Sequence, residues 1–300
     1  MNGSRPTLIV GCGYTGLRLA ARLQAMRFDG PIVGTTRSEE RSGELAAVGV
    51  EPLVGGLTER EALRRIERLD PRLVVYFVPP RLSGEDPLPG VLRALKGSAL
   101  EAFLYASSTS VYGDRGGDWV DETSEVRPDS LTAKARHAAE QRVLEAVKAW
   151  GVAARVCRIT GIYGPGRTLR RALESGDYVL IEGHDAWVNR VHVEDLVSGL
   201  VAAWKRGRDG AVYNLTDDEP HRASDFANLA ARLHGLPAPN WVGRYEASQR
   251  LGEQRLRRKL DSKRVRNQPL REELSVTLEY PSFRTGLPAA VSMERSGQSN

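Results

Sequence analysis

Three glycines at the spacing Gly11-x-Gly13-x-x-Gly16 join an apolar run, Leu8-Ile9-Val10, to a helix-like pattern that begins Leu17-Arg18-Leu19-Ala20. A glycine loop that leaves a strand and opens a helix is a phosphate cradle. Gly11 permits the tight turn, Gly13 lets the backbone approach a pyrophosphate, and Gly16 allows the helix to pack close on the strand. Free N–H groups at the start of the helix, around Tyr14 and Thr15, then face the phosphates. The pattern predicts a dinucleotide site; the alternative is a glycine-rich turn without a ligand.

The end of the second strand candidate bears on which dinucleotide. Gly34-Thr35-Thr36-Arg37-Ser38 carries no Asp or Glu to hold a ribose 2′-hydroxyl. Arg37, flanked by the hydroxyls of Thr36 and Ser38, offers a cation and donors to a 2′-phosphate. NADP(H) is therefore the preferred cofactor, with NAD(H) as the alternative. Arg37 as a merely solvated loop residue is the other reading.

These residues need a scaffold, and the hydrophobic pattern supplies one. Strand candidates are Thr7–Val10, Pro31–Thr35, Val50–Val54, Leu73–Val78, Ala102–Ser107 and Ala153–Arg158. Helical patterns lie between them: Gly16–Met26, Glu39–Ala47, Glu59–Leu69, Gly90–Leu100 and Thr132–Trp150. Alternation of this kind means βαβ units and a parallel sheet. A near-continuous apolar run such as Leu73–Val78 suits a strand buried on both faces. The fold expected is α/β, a doubly wound parallel (Rossmann) sheet over residues 1–165. A smaller mixed segment, residues 166–291, completes the sheet and covers the substrate side. It holds helical patterns at Arg167–Glu174, Asp195–Trp204, Ser224–His234 and Gln249–Leu260 and a strand at Ala211–Leu215. The polar tail, residues 292–300, is expected to be disordered.

Composition sets outer bounds. With 41% hydrophobic and 27% charged residues, the 300-residue chain reads as a globular protein. No run approaches a membrane span, and the opening MNGSRPTLIV lacks the apolar core of a signal peptide. Cys12 and Cys157 read as small buried residues in a reducing compartment, so the expected location is cytoplasmic. No Cys or His spacing suits a metal. Between Arg250 and Arg271 there are nine Lys or Arg and two acids. That run reads as a solvated basic helix, with an anionic partner as the alternative. Nothing resembles a nucleic-acid module.

Several stretches together resemble the extended short-chain dehydrogenase/reductase family, nearest in pattern to its epimerase and dehydratase members. They are the glycine loop, Phe103-Leu-Tyr-Ala-Ser-Ser-Thr-Ser-Val-Tyr-Gly113, Arg158-Ile-Thr-Gly-Ile-Tyr-Gly-Pro-Gly166, Val191-His-Val-Glu-Asp-Leu196, Tyr213-Asn-Leu215 and, more weakly, Leu260-Asp-Ser-Lys263. The resemblance implies cofactor contacts from Gly11, Gly13, Tyr14, Thr15 and Gly16 and from Thr36, Arg37 and Ser38. It further implies contacts from Val78, Pro79 and Pro80 after the fourth strand, and from Ser107 and Arg136.

Catalysis is where the chain departs from the family, which works with Ser or Thr, Tyr and Lys. Ser108 matches the Ser. The best alignment places Thr132 at the Tyr position and Arg136 at the Lys position; a shifted register would use Ser130 and Lys134. A phenol of pKa about 10 can be pulled down by a nearby cation and carry a proton, whereas a threonine hydroxyl is a far weaker acid. Arg136 stays protonated and cannot relay a proton as Lys might. Tyr112 and Tyr163, at strand ends, are candidate replacements, and His137 and His192 lie in the neighbourhood by the same resemblance; each also has a packing reading.

The positions where dehydratases carry Asp-Glu hold Thr109 and Ser110, which argues against dehydration of a nucleotide sugar. The position of the diphosphate-gripping Arg of the epimerases holds Val188. Asn189, Arg190 and His192 are left as substrate-side candidates. Two functions remain. One is NADP(H)-dependent hydride transfer on a small carbonyl or hydroxyl substrate with a non-standard acid/base group. The other is a catalytically silent NADP(H)-binding redox sensor or scaffold. The resemblance also implies a homodimer formed by the helices near Gly90–Leu100 and Thr132–Trp150.

Overall fold

Strand β1, Thr7–Val10, is buried along its whole length, and its side chains alternate between two cores. Leu8 and Val10 face one side of the sheet and Ile9 the other. The computed structural model describes residues 4–297. It extends this logic to a seven-stranded sheet made of β1, β2 (Ile32–Thr36), β3 (Glu51–Val54), β4 (Leu73–Tyr76), β5 (Ala102–Ser108), β6 (Ala153–Ile159) and β7 (Ala211–Leu215). All neighbours are parallel, in the order β3-β2-β1-β4-β5-β6-β7. The chain runs outward from β1 to β3 and then returns to β4 on the opposite side of β1. That reversal opens a crevice at the carboxyl ends of β1 and β4.

Helices cover both faces. One core gathers Leu19, Leu23 and Leu45 from α1 (Tyr14–Ala25) and α2 (Glu39–Ala47) with Leu196 and Leu200 from a later helix, Val193–Arg206. The other gathers Ile66, Val91, Leu95, Val143 and Val147 from α3 (Arg60–Leu69), α4 (Pro87–Leu95) and α5 (Leu131–Ala149). Full burial of one such side chain contributes about 1.5–3 kcal/mol. Local chemistry sets the helix starts. Ser38 accepts from the Arg41 N–H, Asp86 from the Leu88 N–H ahead of Pro87, and Ser130 from the Ala133 N–H. Helix α4 stops at Leu95, short of the Leu100 expected, and the chain turns through Gly97 at φ +91°.

The second half adds α6 (Arg170–Glu174), α7 (Val193–Arg206), α8 (Ala223–His234), α9 (Arg244–Leu251), α10 (Glu253–Leu260), α11 (Gln268–Glu272) and α12 (Phe283–Gly297). A single helix was expected over Gln249–Leu260. Gly252, at φ +70°, instead ends α9 and opens α10. The basic residues Arg255, Arg257 and Arg258 of α10 are exposed, and Leu256 is its one buried residue. Residues 292–297, expected in a disordered tail, continue α12, because Leu287 and Val291 pack on Phe226 and Tyr163 and hold the helix down; residues 298–300 lie outside the described residues. Among the described residues, no helix is long and apolar enough to cross a membrane.

Candidate functional site

The glycine loop occupies the crevice at the reversal. Gly11 has φ +82°, and a Cβ there would lie 2.8 Å from Val78 Cγ2. A Cβ on Gly16 would come within 3.1 Å of Ile9 Cγ2, so the missing side chain lets α1 settle on β1. At Gly13 a Cβ would meet nothing nearer than 4.0 Å, leaving the backbone open to a ligand. Gly13 also begins α1 without a side-chain cap, so the first N–H groups of the helix are unpaired within it. The loop is tied to β2: Gly11 N–H donates to Thr35 Oγ1 at 2.8 Å and Cys12 N–H to Thr35 O at 3.0 Å.

Two chambers flank this loop and share Gly11, Gly13, Phe77 and Pro79 as a common wall. The first, about 360 Å³, is lined by Thr36, Arg37, Val78 and Pro80, with Arg41 and Arg81. Arg37 is exposed and has no ion-pair partner among the described residues. The Arg41 guanidinium lies 4.0 Å from the Cβ position of Gly13 and is paired through Nε with Glu44 at 3.3 Å. Its charge reaches the loop as well. Burial pushes the Cys12 thiol up to about 11, and Arg41 pulls it partly back. Ser38 does not line the chamber; its hydroxyl caps α2, and that of Thr36 closes the turn onto Ser38. This volume falls in the range of small-molecule sites, and a cradle of backbone N–H groups beside three arginines suits an anionic ligand such as a dinucleotide.

The second chamber, about 370 Å³, is lined by Tyr14, Thr15, Gly16, Ser107, Ser108, Arg136 and Arg167. Ser108 Oγ accepts from the Ser110 N–H at 3.2 Å, and Arg136 Nη1 donates to Ala106 O at 3.2 Å. Arg136 therefore stands beside the end of β5. Thr132, one turn earlier, is exposed, does not line the chamber and lies 3.2 Å from Ser130 Oγ. Ser130 is spent on capping α5 and Lys134 is exposed, so the structure brings Arg136 to Ser108 and not Lys134. Ser107 reaches the chamber wall, but its hydroxyl donates to Glu140 behind it.

The two tyrosines proposed as proton carriers are not in this chamber. Tyr112 is fully buried; its hydroxyl donates to Asn214 Oδ1 at 2.8 Å and Arg158 lies over its ring at 4.8 Å. Burial raises its pKa, with Arg158 and Asn214 pulling it back. Tyr163 is fully buried against His192 and Phe226 and faces Ser282 O. Burial raises its pKa too, reinforced by Asp217 and Asp195. His192 is wholly buried beside Tyr280 and caps α7 by accepting from the Glu194 N–H, and burial lowers its pKa to about 4. His137 contacts the Glu140 carboxylate. Asn189 bridges Lys263 O and the Val265 N–H, and Arg190 lies over Phe226 at 3.7 Å. None of these lines either chamber. Arg41 and Arg167 were not anticipated from the sequence. Arg41 follows the loop residue Arg37 by four positions, in the first turn of α2.

Tyr112 belongs to a polar chain that continues from Asn214 N–H to Glu122 Oε1 at 2.8 Å. Burial pushes the Glu122 carboxyl up to about 7 from an ordinary value near 4.5, with the Asn214 N–H pulling it down. An acid raised in the folded state stabilises while protonated; that contribution is present below 4.5 and is lost as pH rises through 7. Glu122→Gln keeps the acceptor and removes the charge. Its unfolding free energy relative to the native chain should therefore climb between about pH 5 and pH 8 in denaturant titrations. An equal difference at both pH values would count against this account.

Comparison with known proteins agrees with this geometry. The model of the NAD dependent epimerase/dehydratase family matches residues 7–216. Protein YeeZ of Escherichia coli (strain K12) is 28% identical over 250 residues, 78% of this chain and 85% of its own. A 4-hydroxy-2-methyl-3-oxo-4-farnesyl-3,4-dihydroquinoline-1-oxide ketoreductase of Stigmatella aurantiaca is 27% identical over 76% of this chain and 72% of its own. A solved structure of a functionally unknown conserved protein from Silicibacter pomeroyi DSS superposes with a TM-score of 0.82 at 32% identity, covering 97% of this chain and 99% of that one.

Proposed function

We propose that this chain, which belongs to the NAD dependent epimerase/dehydratase family, is an NADP(H)-dependent oxidoreductase for a small carbonyl or hydroxyl substrate, with a non-standard acid/base group. The observation that carries the reading is the pair of chambers on either side of the glycine loop, one lined by Ser108 and Arg136 and the other by Arg37 and Arg41. The ketoreductase relative supports a carbonyl reduction.

The nicotinamide, when bound, supplies the hydride chemistry. The glycine loop and the start of α1 hold the pyrophosphate, and Arg37 and Arg41 hold the 2′-phosphate. Ser108 donates a hydrogen bond to the substrate oxygen. The Ser110 N–H that it accepts strengthens it as a donor. Arg136 remains a cation, stabilising negative charge near that oxygen and holding ribose hydroxyls with the nitrogens that Ala106 O leaves free. Tyr14 is the one phenol on the wall, and its hydroxyl is committed to Pro165 O at 3.0 Å. The proton that completes the reaction therefore comes from solvent.

The same lack of a free phenol favours a second reading, a silent NADP(H)-binding protein. Turnover of NADPH against a panel of aldehydes and ketones separates the two. The oxidoreductase reading expects NADPH consumption, and Ser108→Ala should slow it about a hundredfold through loss of one positioned donor. Thr132→Tyr combined with Arg136→Lys should raise the rate about a hundredfold by restoring an acid/base pair. If NADPH binds and no member of the panel is reduced, the silent reading replaces the first.

A further inference from the structure

The loop Gly164-Pro165-Gly166-Arg167-Thr168 is gripped from two sides. On the side of the cofactor cleft, Tyr14 of α1 donates its hydroxyl to Pro165 O at 3.0 Å and Arg18 reaches the same carbonyl at 3.5 Å. On the other side, Glu294 of α12 accepts from Gly166 N–H at 2.5 Å and from the Thr168 hydroxyl at 3.0 and 3.1 Å. Thr168 is buried, and His234 of α8 contacts its oxygen at 3.0 Å. The loop backbone is thus fixed between the first helix and the last.

What this grip holds in place is Arg167. Its guanidinium lies 4.1 Å from the Tyr14 ring centroid, and that of Arg18 lies 3.9 Å from the same centroid. The two cations differ in what neutralises them. Arg18 is within 3.7 Å of Glu194, which also pairs with Arg22. Arg167 has no carboxylate partner among the described residues, is exposed, and lines the chamber where the first turn of α1 presents its N–H groups. Burial raises the Tyr14 pKa, with both arginines opposing it, so the phenol stays neutral and serves as a platform for them.

An uncompensated guanidinium fixed beside a phosphate-binding helix start is placed to take a phosphate oxygen. We infer that Arg167 closes on the cofactor's pyrophosphate and that Glu294, as a positioning residue on α12, sets its reach, so that the C-terminal helix is coupled to cofactor affinity. The inference rests on the dinucleotide reading of the cleft. It adds a contact outside the glycine loop and a role for a segment far from it in sequence.

The experiment is calorimetric titration of the full chain with NADPH and with adenosine 2′-phosphate, which carries no pyrophosphate. Arg167→Ala should weaken NADPH about tenfold, the worth of one charge-assisted hydrogen bond. It should leave adenosine 2′-phosphate within about twofold, since its charge is at the ribose. Glu294→Ala should weaken NADPH about threefold in the native background and add nothing in the Arg167→Ala background, the signature of two residues acting through one contact. Arg167 is exposed, so its variants should fold; apo melting curves check both substitutions. Native-like NADPH binding by Arg167→Ala overturns the inference. So does a Glu294→Ala loss that persists without Arg167. If the native chain binds neither NADPH nor NADH, the dinucleotide reading itself fails, a result distinct from either of these.

Discussion

Replacing Arg37 and Arg41 together by serine should weaken NADPH about a hundredfold and NADH much less, because in the proposed complex both guanidiniums would make charge-assisted contacts to the 2′-phosphate. The two residues sit differently. Arg37 is exposed beyond the end of β2 and carries no ion pair among the described residues, whereas Arg41 rises from the first turn of α2 and is partly neutralised by Glu44. The single Arg37→Ser change should therefore cost more NADPH affinity than Arg41→Ser. Both line the chamber where an acid would otherwise bind a ribose hydroxyl. Glu39 and Glu40 follow closely in sequence, but they lie exposed in the first turn of α2, where they complement the helix dipole. Fluorescence titration with the two cofactors gives the answer. A native chain that binds NADH more tightly than NADPH, or a double variant that loses both equally, would remove the case for a 2′-phosphate site.

The same residues show which parts of the site could be read from the sequence. Gly11, Gly13 and Gly16 are recognisable by the backbone shape they permit and Arg37 by its position at a strand end, and both are local properties. The sheet was legible for a similar reason: β1, α2 and β7 have the bounds that their apolar periodicity marks. Tyr112 and Tyr163 misled because a phenol at a strand end can point into the cleft or behind the strand. Here Asn214 and Ser282 take their hydroxyls on the buried side. Arg167 could not be read at all. Its place depends on Glu294, whose partner Thr168 is separated from it by 126 positions. The break between α9 and α10 was visible as Gly252, but a basic helical pattern on either side outweighed one glycine. Helix α12 escaped because its end is polar; its anchoring comes from Leu287 and Val291 on Phe226 and Tyr163.

Glu140→Ala should lower the unfolding free energy by about 3–5 kcal/mol, the usual cost of stripping one partner from a buried ion pair. Both carboxylate oxygens of Glu140 are used. Arg158 donates through Nε at 3.1 Å and Nη2 at 2.9 Å, Ser107 donates its hydroxyl, and His137 Nδ1 lies at 3.4 Å. Neither member of the pair is exposed by more than 4%. Burial opposes the charge on Arg158, but Glu140 and Tyr112 together more than offset it and the net proton affinity is raised. Without Glu140 that cation loses its carboxylate partner in the core and keeps Tyr112 beside it. Replacing both members with methionine removes the stranded charge, so the double variant should recover most of the loss, to within about 1–3 kcal/mol for the Ser107 hydroxyl left unsatisfied. Urea denaturation of the two variants measures this directly. A single-variant loss under about 1 kcal/mol, or a double variant no better than the single, would mean that the pair is not what holds the end of β5. Under the proposed oxidoreductase reading, activity depends on the same pair. Ser107 precedes Ser108, so the Glu140 carboxylate that anchors the core also fixes the strand end from which Ser108 enters the cleft. The double variant should therefore regain stability without regaining the full rate.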